Sequence, residues 1–262
     1  MEYPWQSSYA YFGNSPIVQL DFNGEGDYYD NEGKHLGSDG KTIEKDGKQI
    51  PDDKVYTADK KNKDGTFSNA IDLNITHTEF STMANVVKHE SSGDKIEGLW
   101  IAHASNNAKD NDAIDWKKKN KTLYDQLTDQ NFSTTPSTAR TPLATTDNST
   151  KANNARYAII DVISGNPDPT GGAVLWDGDD FLKKGLTHNK FKEYTKVTIS
   201  ADHLWNYTMG PKRKGKSIAG TFWSELIFNT DYSEKGKGKY YSLYSTGAPG
   251  KGRSIFWNIG DK

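Results

Sequence analysis

The segment "TEFSTMANVVKHES", residues 78–91, decides how the rest of the chain is read. Phe80, Met83, Ala84 and Val87 recur at i, i+3, i+4 and i+7. That spacing predicts a helix over 80–91 with one apolar face, Thr78 as its N-cap and Gly93 as its stop. Glu90 falls on the same face, three residues past Val87. Burial and the negative end of a helix macrodipole both favour the uncharged form of a carboxyl group. A carboxylic acid still protonated near neutral pH is what cleavage of a glycosidic bond requires. The plainer alternative is a Glu that swings past the helix end into solvent.

Outward from this segment, the pattern stays helical for some eighty residues. A second helix is predicted over 97–108, a short amphipathic piece over 123–127, and a third helix over 151–164 carrying Ala155, Ala158, Ile159, Val162 and Ile163. The polar, Ser/Thr/Pro-rich stretch before the third helix reads as a long loop. After Gly165 the runs 173–176, 196–199, 222–228 and 254–259 read as strands between Gly-rich turns. Helices first and strands later predict an α+β fold, with a helical core and a small antiparallel sheet, rather than alternating βαβ units.

Residues 1–66 differ in composition, being rich in Gly, Asp, Lys and Tyr, and read as a separate β module ahead of a main domain at 67–262. Three repeats at a spacing of seven residues begin Glu32-Gly33-Lys34, Asp39-Gly40-Lys41 and Asp46-Gly47-Lys48. An acidic residue before Gly favours a turn needing positive φ, so a stack of short hairpins is predicted. The nearest calcium-loop string, Asn62-Lys63-Asp64-Gly65, has Lys60 where the first ligand belongs and Ile71 where the closing Glu belongs, which argues against calcium.

Composition excludes several chemistries. There is no Cys, which removes thiol nucleophiles, disulfides and thiolate zinc sites. The six His show no zinc-ligand spacing, so neither metal nor cofactor is expected. A net charge of −2 and a pI near 6.3 provide no overall electrostatic case for nucleic acid or membrane, and no run approaches the ~18 apolar residues of a membrane span. The chain is polar, with a mean hydropathy of −0.86, yet its 7 Trp, 14 Tyr and 10 Phe supply the apolar bulk of a folded domain. The first residues, Met1-Glu2-Tyr3-Pro4-Trp5, carry no basic and apolar export signal, so synthesis in the cytoplasm without the general secretory route is expected. Gly210-Pro211-Lys212-Arg213-Lys214-Gly215-Lys216-Ser217 satisfies the phosphate-loop spacing. It follows a polar stretch and leads into a strand-like run, so a basic hairpin tip is the better reading and nucleotide binding the rival.

Three blocks, in order, carry a resemblance. "ANVVKHESSGDKIEGLWIAHASNNA" at 84–108, "LYDQLTDQNFS" at 123–133 and "ARYAIIDVISGNPDPTGGAVLW" at 155–176 resemble the cell-wall hydrolase family of spore-cortex-lytic enzymes. The resemblance covers about residues 72–182 and aligns Glu90 with the family's catalytic Glu and Glu97-Gly98 with its Glu-Gly pair. It implies a lytic transglycosylase or muramidase on a lysozyme-like fold, cutting between N-acetylmuramic acid and N-acetylglucosamine with Glu90 as acid and then base. Ser91, Thr170, Gly171 and Trp176 would meet the sugar, Trp176 as a stacking platform, although Ser91 also reads as a helix end and Trp176 as a core anchor. Inverting hydrolysis would need a second carboxylate, for which Asp94, Asp177 and Asp179 are the candidates, each also a natural turn residue. The chain departs from the pattern at Asn106-Asn107, in its longer 110–150 linker, and at Arg253-Ser254-Ile255-Phe256, where the family closes on Gly-Asn-His-aromatic. A wall-cleaving enzyme without an export signal points to a dedicated route: an antibacterial effector of a contractile secretion system such as type VI, with a cognate immunity protein, or a phage lysis enzyme. The rival from another class is a non-catalytic peptidoglycan-binding module.

Overall fold

The computed structural model describes residues 26–111, 113, 120–133, 136–209, 232–235, 241–250 and 253–260. The strand predicted over 222–228 and the phosphate-loop string at 210–217 lie outside the described residues. The fold is α+β, in three sections. Eight short strands come first: β1 Asp27–Tyr29, β2 His35–Ser38, β3 Thr42–Lys45, β4 Lys48–Pro51, β5 Lys54–Thr57, β6 Lys60–Lys61, β7 Phe67–Ser68 and β8 Ile71–Thr76. Four helices follow: α1 His77–Glu90, α2 Lys95–Asp110, α3 Leu123–Thr128 and α4 Thr150–Ile163. The last section mixes β9 Leu175–Asp177, α5 Asp179–Lys184, α6 Lys190–Glu193, β10 Lys196–Ile199, α7 Ala201–Met209, β11 Tyr232–Lys235, β12 Leu243–Gly247 and β13 Ile255–Ile259. Strands therefore flank the helices on both sides. Among the described residues, no helix is long and apolar enough to cross a membrane.

The two larger sheets are mixed rather than antiparallel. One runs β2-β1-β5-β8 and the other β11-β10-β12-β13-β9, with β1/β5 and β10/β12 parallel. The repeats are split between structures. Gly33, at φ 78°, turns β1 into β2, while Asp46 and Gly47, at φ 54° and 72°, close the separate β3–β4 ribbon. The boundary expected after residue 66 falls inside the β6–β7 hairpin, and the first sheet crosses it to end at Thr76. The Asn62–Gly65 string is that hairpin's turn, with the Asp64 carboxylate accepting from the Thr66 amide and hydroxyl.

Thr76, two residues earlier than predicted, caps α1. Its hydroxyl accepts from the Glu79 amide while the Glu79 carboxylate accepts from the Thr76 amide, a reciprocal capping box. Phe80, Met83, Ala84 and Val87 are fully buried as the periodicity requires, but Val86, Ser81, Thr82 and Asn85 are buried too. The helix is central, packed by α2, α3 and α4, so its polar positions need partners. Ser81 donates to the His77 carbonyl at 2.6 Å and Asn85 to the Thr141 carbonyl at 2.9 Å. Tyr29 and Val55 of the first sheet join the core formed by α1, α2 and α4, so residues 26–76 share the core of the helices. The buried Arg156 of α4 lies over the Tyr29 ring and donates to the carbonyls of Ala144 and Asp147. A second core gathers Leu175, Phe181, Val197, Leu204, Tyr207, Leu243 and Trp257 around the five-stranded sheet.

The loop before α4 is pinned to α1 by Lys88, whose ammonium sits 2.6 Å from Asp147. Burial works against the Asp147 carboxylate, but hydrogen bonds from Lys88 and Ser149 outweigh it and bring its pKa down to about 2. A folded value below the ~3.9 of an unfolded Asp means this stabilisation is complete above that value and is lost as pH falls through about 2. Lys88→Met is therefore expected to be less stable than wild type at pH 6, with a gap that narrows between pH 4 and pH 2. Urea titrations at those pH values check this; a gap independent of pH would show that the pair is not its source.

Candidate active site at the end of helix α1

Glu90 is the last residue of α1 and is partly exposed. The helix stops because Ser91 adopts an extended conformation while its amide still reaches the Val87 carbonyl at 2.9 Å. Gly93, at φ 87°, completes the turn, and Asp94 starts α2 by accepting from the Ile96 and Glu97 amides. Glu90 Oε1 accepts a 2.6 Å hydrogen bond from the Ser133 hydroxyl, its one hydrogen-bond partner among the described residues. Ser133 is buried at the end of the tight 129–133 turn that follows α3. Its amide donates to the Asp129 carbonyl, and its carbonyl accepts from Arg140, which also donates to the Thr128 carbonyl. The hydroxyl that meets Glu90 is thus held by backbone anchored on both sides.

The residue before Ser133 provides a wall. The Phe132 ring stands edge-on to Trp176, with centroids 5.2 Å apart at 84°, and Trp176 leans on Phe256 at 6.5 Å. A continuous chain of contacts runs from Glu90 through Ser133 and Phe132 to the Trp176 indole. Neighbouring β-strand residues face opposite sides. In β9 this puts Trp176 on the side of the helical core, and Leu175 and Asp177 on the side of the second core.

Several expected site residues have other duties. Thr170 is fully buried, its hydroxyl donating to Asp168 at 2.6 Å and accepting from the Ala173 amide, so it organises the Asp-Pro-Thr-Gly-Gly turn and offers nothing to a sugar. Gly171 is exposed beside Thr246. It is Gly172 that is closely packed, since a Cβ there would lie 2.9 Å from the side-chain amide nitrogen of Asn258. Ser91 is buried as the C-cap of α1. Asn107 donates to Asp168 and to the Ala173 carbonyl and ties α2 to the same turn.

The candidate second carboxylates are similarly committed. Asp94 is the α2 cap. Asp177 accepts from Trp257 Nε1 at 2.7 Å and pairs with Lys190 at 3.3 Å; burial pushes its pKa up, against the lowering influence of Lys190 and His188. Asp179 opens α5. Asp177, Asp180 and His188 lie close enough to share a metal ion. However, His188 Nδ1 accepts from the Lys190 amide, which puts the proton of a neutral ring on Nε2, facing Asp180 at 3.0 Å. With Lys190 already against Asp177, the geometry suits an ion-pair network better than a metal.

Ser133, Arg140, Glu97 and Ser254 were not expected as site residues. Ser133 stood inside a quoted block with no role, and the sole signal was a hydroxyl following an aromatic after a helix. Compared with protein-family models, with curated proteins and with solved structures, the chain finds no match, so the reading of the site rests on its geometry.

Proposed function

We propose that this chain cleaves the glycan strand of peptidoglycan, as a lytic transglycosylase with a lysozyme-like helical core and Glu90 as its acid and base. The observation that carries the reading is the Glu90 carboxyl itself: at the end of a buried helix, with Oε1 held by Ser133, whose neighbour Phe132 stands edge-on to Trp176. Because Oε1 is engaged as an acceptor, Oε2 is the oxygen to carry the proton to a glycosidic oxygen. The Trp176 indole, linked to Glu90 through Ser133 and Phe132, suits the apolar face of a sugar ring. After donation, the same carboxylate takes the proton of the muramic 6-hydroxyl as it closes on the anomeric carbon. One carboxylate suffices for this, since the nucleophile is part of the substrate. The placement of Asp94 as a cap and of Asp177 on the opposite face of β9 favours this route over inverting hydrolysis, which needs a second carboxylate across the sugar.

Mass spectrometry of muropeptides released from purified peptidoglycan tests the reading. Anhydro-muramic ends are expected; reducing ends would mean hydrolysis, and no release would leave a binding module. Delivery as an antibacterial effector further predicts a neighbouring gene product that binds the chain and blocks cleavage, and a pull-down with each neighbour decides it.

Ser133→Ala removes a hydrogen bond to a carboxyl that gains negative charge as it gives up its proton, worth roughly 1.5–3 kcal/mol, so turnover should fall about 10- to 100-fold with glycan binding unchanged. Ser133→Thr, which keeps the hydroxyl, should recover most of it. Equal losses in both variants would show that the hydroxyl is not what matters.

A further inference from the structure

Glu97 is 3 % exposed, in the first turn of α2, and no Lys or Arg is its ion-pair partner among the described residues. A carboxylate is expensive to bury unless its oxygens are hydrogen-bonded. Here both are. Oε2 accepts from the Ser92 amide at 2.7 Å, and Oε1 from the hydroxyl of Ser254, itself buried, at 2.6 Å. Ser92 is two residues past Glu90, in the turn to α2; Ser254 precedes β13, the strand whose Phe256 supports Trp176. The same turn is held from α4, where Asn154 donates to the Gly93 carbonyl at 2.9 Å. It is also pressed on α2 at Gly98, where a Cβ would lie 3.5 Å from Val87 and 3.9 Å from Ser91.

We infer that Glu97 is a positioning residue for Glu90, clamping the turn after it to the start of β13 and so fixing the acid relative to the Trp176 wall. The inference rests on the reading of Glu90 as the acid. A misplacement of about 1 Å is enough to cost on the order of 100-fold in rate, which makes a clamp two residues from the acid consequential. The clamp requires hydrogen bonds rather than charge. A Gln side chain can accept from Ser92 and donate to Ser254, keeping both links, whereas Ala keeps neither.

Turnover at saturating glycan, glycan binding, melting temperature and exchange of the Ser92 amide are to be measured in Glu97→Gln, Glu97→Ala and Ser254→Ala. Glu97→Gln should stay within about threefold of wild type. Glu97→Ala should lose about 10- to 100-fold in turnover with binding unchanged, and Ser254→Ala should fall between. In both Ala variants the Ser92 amide should exchange faster while amides in the middle of α1 keep their protection. Glu97→Gln as damaged as Glu97→Ala would overturn the inference, as would losses no larger than the fraction unfolded at the assay temperature. If Glu97→Ala does not fold, Ser254→Ala decides alone. If wild type releases no muropeptides, the proposed reaction fails, while unchanged Ser92 exchange in Ser254→Ala would separately sink the clamp.

Discussion

Glu90→Gln is expected to abolish detectable release of anhydro-muropeptides, a loss on the order of 100- to 10,000-fold, while leaving stability and glycan binding near those of wild type. The amide keeps the shape of the carboxyl and can still accept from Ser133, so the 2.6 Å contact and the turn behind it survive. What it loses is an ionisable proton: Gln can neither protonate a leaving oxygen nor later take the proton of the muramic hydroxyl. Purified peptidoglycan digested by both proteins, with products resolved by mass spectrometry and folding checked by thermal denaturation, is the comparison to make. Undiminished release by a folded Glu90→Gln protein would remove Glu90 from the chemistry.

The second large effect concerns stability. Gly33→Ala should destabilise the protein by about 2–4 kcal/mol, since Ala is strained at positive φ and its methyl group has nowhere to go. At φ 78° a Cβ would lie 2.2 Å from the Asn153 carbonyl oxygen and 2.5 Å from the Tyr157 nitrogen, both backbone atoms of α4 that cannot step aside. The β1–β2 turn would have to lift off the helix, loosening Tyr29 and the adjacent Glu32–Lys95 ion pair. Gly47→Ala is the control. Gly47 has a similar φ of 72° but open space around its Cβ position, so the backbone cost alone, about 1 kcal/mol, should appear. Equal destabilisation of the two in urea titrations would mean that the contact with α4 contributes nothing.

How much of this was readable beforehand depended on how local the cause was. The apolar face of α1 and the limits of α4, Thr150–Ile163 against the predicted 151–164, follow from periodicity within single segments. Even the Thr76 cap was present as Thr-x-x-Glu, but Thr78 competed for the same role nearer the apolar run. The mixed sheets were not readable, because their parallel pairs β1–β5 and β10–β12 join segments separated by intervening chain. Helix α7 looked polar, since Asp202, His203 and Asn206 intersperse Leu204 and Tyr207, the pair that reaches the second core. Asp177 in an Asp-Gly-Asp string looked like a turn; its burial comes from Trp257 and Lys190, which no local pattern announces. The place of Glu90 at the end of α1 was legible from the periodicity. Ser133 and the Glu97–Ser254 link were not, because each is made by chain folding back over a long interval.

The core around α1 draws on Tyr29 and Val55 at one end of the described chain and on Ala173 and Phe256 at the other. A ribosome therefore has nearly the whole of this sequence to deliver before the helix bearing Glu90 can be fully enclosed. Helices α1 to α4 can pair early, but Phe256 arrives last, and with it the support of Trp176. Such non-local closure makes folding slow and late. For the proposed activity, this means that nascent chains short of β13 lack the support of Trp176, so that a finished Glu90 site forms late.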